Sequence, residues 1–326
     1  MSGNSTIRAL MQPVSDGIRA YFAPVDRMTE KPSAFDPAAV GLFNLDSPPL
    51  PWIDAGWVDN FVRTAQTKVE TLRIGPDAAV NRQFRANRGA AVELEFREWG
   101  KLQMALACGA QHINVLADAG GTTGGGSGGP VEAAAVALQA GSTAQELMVG
   151  PAVIGFAVGD IVAVDMDYQQ QTGYVGTGIA GSYVPSLPPL VYQADYIRRI
   201  TLNVGRVVAL TDHSLQLDTP LLGGAPASTA CAQKVVAFVD REGGNFFQEW
   251  SALFVLPETS AGRVCFYYPR LQGAGSPREG SLKLADPWRA TTLHAAFEAM
   301  ACQDASDGET VYCYRVYFPP SLATLY

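Results

Sequence analysis

Between Ala91 and Gly109 the hydrophobic pattern changes period once. Val92, Leu94 and Phe96 alternate with Glu93, Glu95 and Arg97, which predicts a strand with one buried and one polar face. Leu102, Ala105 and Leu106 then fall at helical spacing, and Gly109 stands where a left-handed C′ residue ends a helix without a Cβ penalty. Further strands are expected at Gly56 to Val62, Val69 to Ile74 and around Ile113 to Leu116. A second strand-rich block lies far downstream. It has strands at Val235 to Val239, Phe246 to Val255, Arg263 to Tyr268 and Val311 to Phe318, and a helix expected over Leu293 to Cys302.

What precedes and separates these blocks has a different texture. Residues 1–50 carry Pro13, Pro24, Pro32, Pro37, Pro48 and Pro49 without a sustained period, and read as an extended arm that lies on another surface. Ala119 to Pro130 is a glycine-rich tether with almost no side chain to pack. Pro130 suits the first position of a helix through VEAAAVALQA, with Val131, Ala135 and Leu138 on one face and Gly141 at its end. Short segments at Ile161 to Val164, Ile197 to Leu202, Arg206 to Leu210 and Ser214 to Leu217, with Gly and Asp at the turns, predict a small inserted barrel or sandwich.

The expected organisation is therefore an arm over 1–50, a discontinuous β core over 51–118 and 233–326, a tether and short helix over 119–150, and an inserted β domain over 151–232. The fold class is mainly β with short helices, a β-sandwich or barrel core with a flanking α-helix. Phe96 to Leu102 and Phe247 to Leu253 share F-x-E-W-x-x-L, which one duplication would explain.

Composition narrows the function classes. With 326 residues, 48% hydrophobic and 17% charged, the chain can bury a real core. The net charge of −8 disfavours a surface that grips nucleic acid, because phosphate binding is driven by Lys and Arg displacing counterions. No stretch approaches the roughly 18 to 20 apolar residues of a membrane helix, and MSGNSTIRAL lacks the order of a signal peptide. Synthesis in the cytoplasm without membrane insertion is expected. Five cysteines (Cys108, Cys231, Cys265, Cys302, Cys313) with no C-x-x-C pair read as buried thiols, neither a disulfide framework nor a zinc site. Without a secretory signal, the acceptor pattern Asn4-Ser5-Thr6 has no consequence.

Several patterns touch on chemistry without making a site. Gly124-x-Gly126-x-x-Gly129 fits the dinucleotide fingerprint and Gly125-x-Ser127-x-Gly129 the nucleophile elbow. A glycine-saturated run meets both by chance, and Pro130 removes a backbone donor that a phosphate site would use. His112, His213 and His294 lack any spacing that would place two imidazoles on one metal. Asp165 and Asp167 share a strand face but lack the further oxygen ligands of a calcium loop. No catalytic, cofactor-binding or metal residue is assigned, and no cofactor is expected.

Aromatic residues supply the remaining signal. Phe266, Tyr267 and Tyr268, then Tyr312, Tyr314, Tyr317 and Phe318, load both faces of two strands. Such strands are either central in a sandwich or buried against a neighbouring subunit. Tyr21, Phe22, Phe35, Leu42 and Phe43 make the arm too apolar for a free linker. Tyr21, Phe22, Phe35, Phe43, Tyr267, Tyr312 and Tyr314 are accordingly the candidate assembly residues.

The run Trp52-Ile-Asp-Ala-Gly-Trp-Val58, the basic Asn81-Arg-Gln-Phe-Arg85, the strand and helix over 91–109, Arg263-Val-Cys-Phe-Tyr-Tyr-Pro-Arg270, and the closing segments Leu293 to Met300 and Val311 to Phe318 together resemble the tail tube (major tail) proteins of tailed phages and phage-tail-like particles. The resemblance covers roughly half the chain, in two blocks that a domain insertion would separate. It implies a non-enzymatic virion protein of the tail, made in the host cytoplasm and self-assembling into stacked, usually hexameric rings. Its implied partners are other copies of itself and tail proteins such as a tape-measure or terminator protein, with DNA only as passing cargo. Edge strands would pair across subunits, which removes the unpaired edges that otherwise aggregate. The alternatives are another virion part, such as a baseplate or head-tail connector, or an enzyme or carbohydrate-binding module with its site around Asp165, Asp167, Tyr168 and Tyr174.

Overall fold

The computed structural model describes residues 17–25, 29–37, 43–49, 51–74, 79–98, 100–108, 112–117, 135–165, 171–175, 182–185, 203–221, 224–240, 249–257, 262–274, 278–283 and 289–318. The chain is mainly β with short helices. In order it forms β1 (Ile18–Pro24), β2 (Ile53–Ile74), β3 (Ala79–Phe96) and α1 (Lys101–Cys108). Then come β4 (His112–Leu116), β5 (Val136–Ala137), β6 (Glu146–Met148), β7 (Ile161–Asp165), β8 (Gln171–Val175), β9 (Ser182–Pro185), β10 (Val204–Leu210), β11 (Ser214–Leu217) and β12 (Cys231–Asp240). The last stretch adds β13 (Glu249–Val255), β14 (Arg263–Gly273), β15 (Arg278–Lys283), β16 (Arg289–Ala299), β17 (Cys302–Gln303), β18 (Thr310–Val311) and β19 (Tyr314–Phe318).

Two compact units result. The first comprises Met1–Val25, Pro32–Gly109 and Phe247–Tyr326, and the second Asp26–Lys31 and Ala110–Phe246. The interruption is wider than the sequence suggested, because β4 and β12, expected in the core, pair with each other inside the second unit from Val235↔Leu116 to Asp240↔His112.

The first unit is built on one antiparallel sheet in the order β15-β16-β3-β2-β1-β13-β14-β19. A short seam pairs Leu271, Gln272 and Gly273 of β14 with Ala299, Glu298 and Phe297 of β16. Six strands thus close on themselves, with β15 and β19 as flanking ends. Phe22 of β1 meets Phe297 of β16, three strands away either way round, at 5.5 Å between ring centroids. Phe22 also contacts Trp250 and Phe254, so the interior is an aromatic core. Val92, Leu94 and Phe96 are buried, Glu93 and Arg97 are exposed and Glu95 is half-buried, as the alternation requires. Helix α1 buries Ala105 and Leu106 against β16 and β14. Gln103 fixes it, accepting from Gly100 N at 3.0 Å and donating to Ala55 O at 3.0 Å; Gly109 lies outside the described residues.

Three expectations are corrected. Residues 289–299 form β16, not a helix. Leu293, Ala295, Phe297 and Ala299 are buried at a period of two, and Ala295 pairs with Leu94, so tertiary pairing overrides the helix propensity of an alanine-rich run. Val136–Ala137 is a strand paired with Ala232 and Cys231, not part of a helix begun by Pro130, and Leu138 joins the second unit's core. The arm does not simply lie on another surface: its Ile18–Pro24 is strand β1, hydrogen-bonded between β2 and β13 in the middle of its own sheet.

The second unit has a sheet in the order β4-β12-β7-β10-β11-β6, with β5 also on β12. Its own core gathers Leu147, Val162, Val164, Val207, Leu215 and Leu217, among others. Buried Asn203 donates to Val164 O at 2.8 Å, satisfying its amide. The expected strand at Ile197 to Leu202 lies outside the described residues.

Candidate assembly surface

The aromatic candidates sit mostly inside their own subunit. β1, β13 and β14 are apolar on both faces, so each face needs a cover. One is the barrel interior. The other is the proline-rich segment before β2, which brings Phe35, Phe43, Leu45 and Trp52 onto Tyr21, Leu253, Val255, Cys265 and Tyr267. Phe35 lies 5.6 Å from Tyr267 and 4.9 Å from Phe43, and Tyr267 stacks on Tyr314 at 5.8 Å between centroids. Hydrogen bonds hold the cover down: the Tyr267 hydroxyl donates to Ser33 O at 2.8 Å, Ser33 N donates to Ser251 Oγ at 2.8 Å, and the Tyr21 hydroxyl donates to Asp46 O at 3.0 Å.

Tyr21 and Phe22 are 1% and 0% exposed, so as candidates for contact with a neighbour they are corrected: side chains fully covered by their own chain have no area to offer. Tyr267 is likewise buried. Phe35, Phe43, Tyr312 and Tyr314 are half-buried. Of the seven, the structure brings Tyr21, Phe35, Phe43, Tyr267 and Tyr314 into one cluster, puts Phe22 on the opposite face, and leaves Tyr312 outside it.

The surface without a cover is elsewhere. β2 and β3 run on as a two-stranded ribbon, paired from Ala65↔Ala90 to Ile74↔Ala79, well beyond the point where β1 and β16 flank them. Ten residues at about 3.4 Å each carry it some 34 Å. Every residue from Thr64 to Arg73 is exposed, as are Val80, Arg82, Gln83 and Arg88. Alternation along β2 puts Val62 and Leu72 on one face and Val69 on the other. These three and Val80 are 53%, 44%, 49% and 51% exposed. A lone two-stranded ribbon is marginal in water, and this one has apolar side chains on both sides.

Where the ribbon leaves the barrel, Arg63 points back across to β14. Its Nε donates to the Tyr268 hydroxyl at 2.9 Å, its Nη2 approaches Cys313 Sγ at 3.6 Å, and its guanidinium carbon lies 4.4 Å from the centre of the Phe266 ring. Burial opposes the charge of Arg63, but Tyr268 and Cys313 outweigh it and hold the group above the usual arginine range. Burial pushes the Tyr268 phenol up to about 12 against the pull of Arg63, and pushes the Cys313 thiol up as well. The Cys265 thiol rises to about 12 for the same reason. These groups hold protons in the neutral range, and supply packing and hydrogen bonds.

The other candidate chemistry is dispersed. His294 lies on β16, with Nε2 3.6 Å from the Glu93 carboxylate, and Nδ1 buried without a hydrogen-bond partner. His213 is exposed in the turn between β10 and β11. The side chains of His112, Asp165 and Tyr174, and all of Asp167, Tyr168 and the glycine run, lie outside the described residues. Among those described, no three His, Cys, Asp or Glu side chains are grouped to hold a metal, and no helix is long and apolar enough to cross a membrane. The two F-x-E-W-x-x-L copies fold differently: Phe96 ends a strand before α1, whereas Glu249 to Leu253 is strand throughout. The sequence placed a strand at Val69 to Ile74 but showed neither its continuity with Gly56 to Val62 nor its partner strand over 79–90, because a pair exposed to water keeps no sustained alternation; the signal on the partner was the basic run around Asn81 to Arg85.

Comparison with protein-family models and with curated proteins found no match.

Proposed function

We propose that this chain is a self-assembling structural subunit of a phage-type tail tube, stacking in rings around a channel. The observation that carries the reading is the β2–β3 ribbon, a long paired element with Val62, Val69, Leu72 and Val80 exposed. Covering such side chains against a neighbour gains roughly 25 cal/mol per Å² of apolar area. The sequence resemblance over the two blocks of the first unit supplies the kind of assembly. The flanking strands β15 and β19 are the ends through which the sheet would continue into the next subunit. In this reading the rings are hexameric, the tube belongs to the virion, DNA passes through it as cargo, and a tape-measure or terminator protein meets its lumen or end. Light scattering over a concentration series tests it: mass should grow with concentration, and a particle of monomer mass at every concentration and salt overturns it.

A further inference from the structure

The charge of the ribbon runs against the charge of the chain. From Ala65 to Arg88 stand Lys68, Arg73, Arg82, Arg85 and Arg88 against Glu70 and Asp77, a net of +3 in a chain of −8, so the remainder carries −11. Lys68, Arg73, Arg82 and Arg88 are exposed. Lys68 pairs with Glu70 at 3.2 Å, while among the described residues no carboxylate pairs with Arg82 or Arg88.

The opposite extreme lies in the same unit. Between Arg289 and Arg315 there is no Lys or Arg, and four acids stand there: Glu298, Asp304, Asp307 and Glu309. Three of them belong to the exposed turn that joins β17 to β18. That turn is internally braced: the hydroxyls of Ser306 and Tyr314 both donate to the Asp304 carboxylate, Ser306 N donates to it at 2.8 Å, and Glu309 N donates to Asp307 at 2.9 Å. These bonds, Ser306 foremost, lower the Asp304 pKa to about 2, so the turn presents its charge throughout the neutral range.

Resting on the assembly reading above, we infer that the basic ribbon of one subunit docks on the acidic surface of a second copy of this chain, with the Asp304–Glu309 turn as its receptor. A basic two-stranded ribbon could instead lie in a DNA groove. Val69, Leu72 and Val80 favour protein, because interleaved aliphatic side chains gain nothing from phosphates and gain burial from a protein surface. The −11 on the rest of the chain repels DNA at long range and attracts the ribbon. Since ribbon and receptor are different patches of one subunit, the contact is heterologous, and repeats into a ring or filament where a self-complementary patch would stop at a dimer.

Sedimentation velocity on the full chain tests this, comparing wild type with R82E/R88E, with D307K/E309K and with the four changes combined. All four substitutions are on exposed side chains, and thermal melts confirm that each variant folds. The expected result is wild-type association that weakens as salt rises, at least about tenfold weaker association in each double variant, and recovery in the combination. A wild type that stays monomeric overturns the assembly reading itself. A wild type that assembles while R82E/R88E assembles equally well overturns the ribbon's role alone, and a combined variant as weak as the doubles overturns the turn as receptor. A labelled DNA duplex retained by wild type at physiological salt and released by R82E/R88E reassigns the ribbon to nucleic acid and overturns the inference.

Discussion

Arg63 of β2 donates from Nε to the hydroxyl of Tyr268 on β14 at 2.9 Å, spanning the barrel at the root of the ribbon. Three other cations of this unit have carboxylates: Arg19 pairs with Asp54, Arg97 with Asp59 at 2.7 Å, and Arg270 with Glu249 at 2.7 Å. Arg63 is held by a phenol, a thiol and a ring instead. Tyr268→Phe leaves a partly buried guanidinium short of an acceptor and should cost about 1.5 to 3 kcal/mol. Denaturant melts measure the cost, and tryptic cleavage in the ribbon should quicken, since its root is loosened.

The register of β3 sets a sharp contrast between neighbours. Leu94 is fully buried and Glu93 is mostly exposed beside His294. Leu94→Asp should destabilise by several kcal/mol, on the order of 3 to 5, through an unpaired buried carboxylate and lost burial. Glu93→Lys should stay within about 1 kcal/mol. Equal shifts in melting temperature would contradict the pairing of Leu94 with Ala295.

Alkaline pH should unfold the first unit through its tyrosines. Burial raises Tyr21 and Tyr268 to about 12 and raises Tyr267 further, whereas an unfolded phenol titrates near about 10. The folded state therefore keeps protons that the unfolded state releases. Their contribution is whole below about pH 10 and declines as pH rises toward 12. Melts between pH 8 and 12, read together with phenolate absorbance, check it. Complete phenolate formation near pH 10 in a still-folded protein would be the contrary result.

Proteolysis distinguishes a strand from a loose arm. Arg19 lies within β1, paired with Val255 and Trp57, so cleavage after Arg19 should be slow even in the isolated subunit, and deletion of residues 1–50 should abolish folding. A folded truncated protein would show that β1 is dispensable.

How far the sequence reached follows from what each segment faces. Val92 to Phe96 was legible because one side meets the core and the other meets water. β1 was not, because its two buried faces leave no alternation, and Pro24 and the prolines after it look like a linker until Phe35, Phe43 and Trp52 are seen to cover Tyr21 and Tyr267. β16 hid behind its alanines, whose helix propensity yields to the pairing with β3. Aromatic crowding signalled burial at Tyr267, but β19 is an end strand with Tyr314 half-buried and Tyr317 exposed, and crowding could not say whether the cover came from the same chain. Of the ribbon, only Val69 to Ile74 read as a strand; its partner over 79–90 was marked by clustered charge alone.

The inserted unit gives a prediction of its own. It holds a separate core around Leu147, Val164 and Leu215. We therefore expect it to be a decoration dispensable for ring formation, and replacing Ala110–Phe246 with a short Gly-Ser linker should leave a first unit that folds and assembles. The boundaries of that replacement follow the β4–β12 pairing. Insoluble protein, or folded protein that no longer assembles, would place the second unit among the assembly elements.

Negative-stain electron microscopy of the purified full chain, imaged from dilute to concentrated solution, tests the central claim most directly. Rings at low concentration that stack into tubes of constant diameter at high concentration are the expected result. Isolated particles of single-subunit size at every concentration would contradict it.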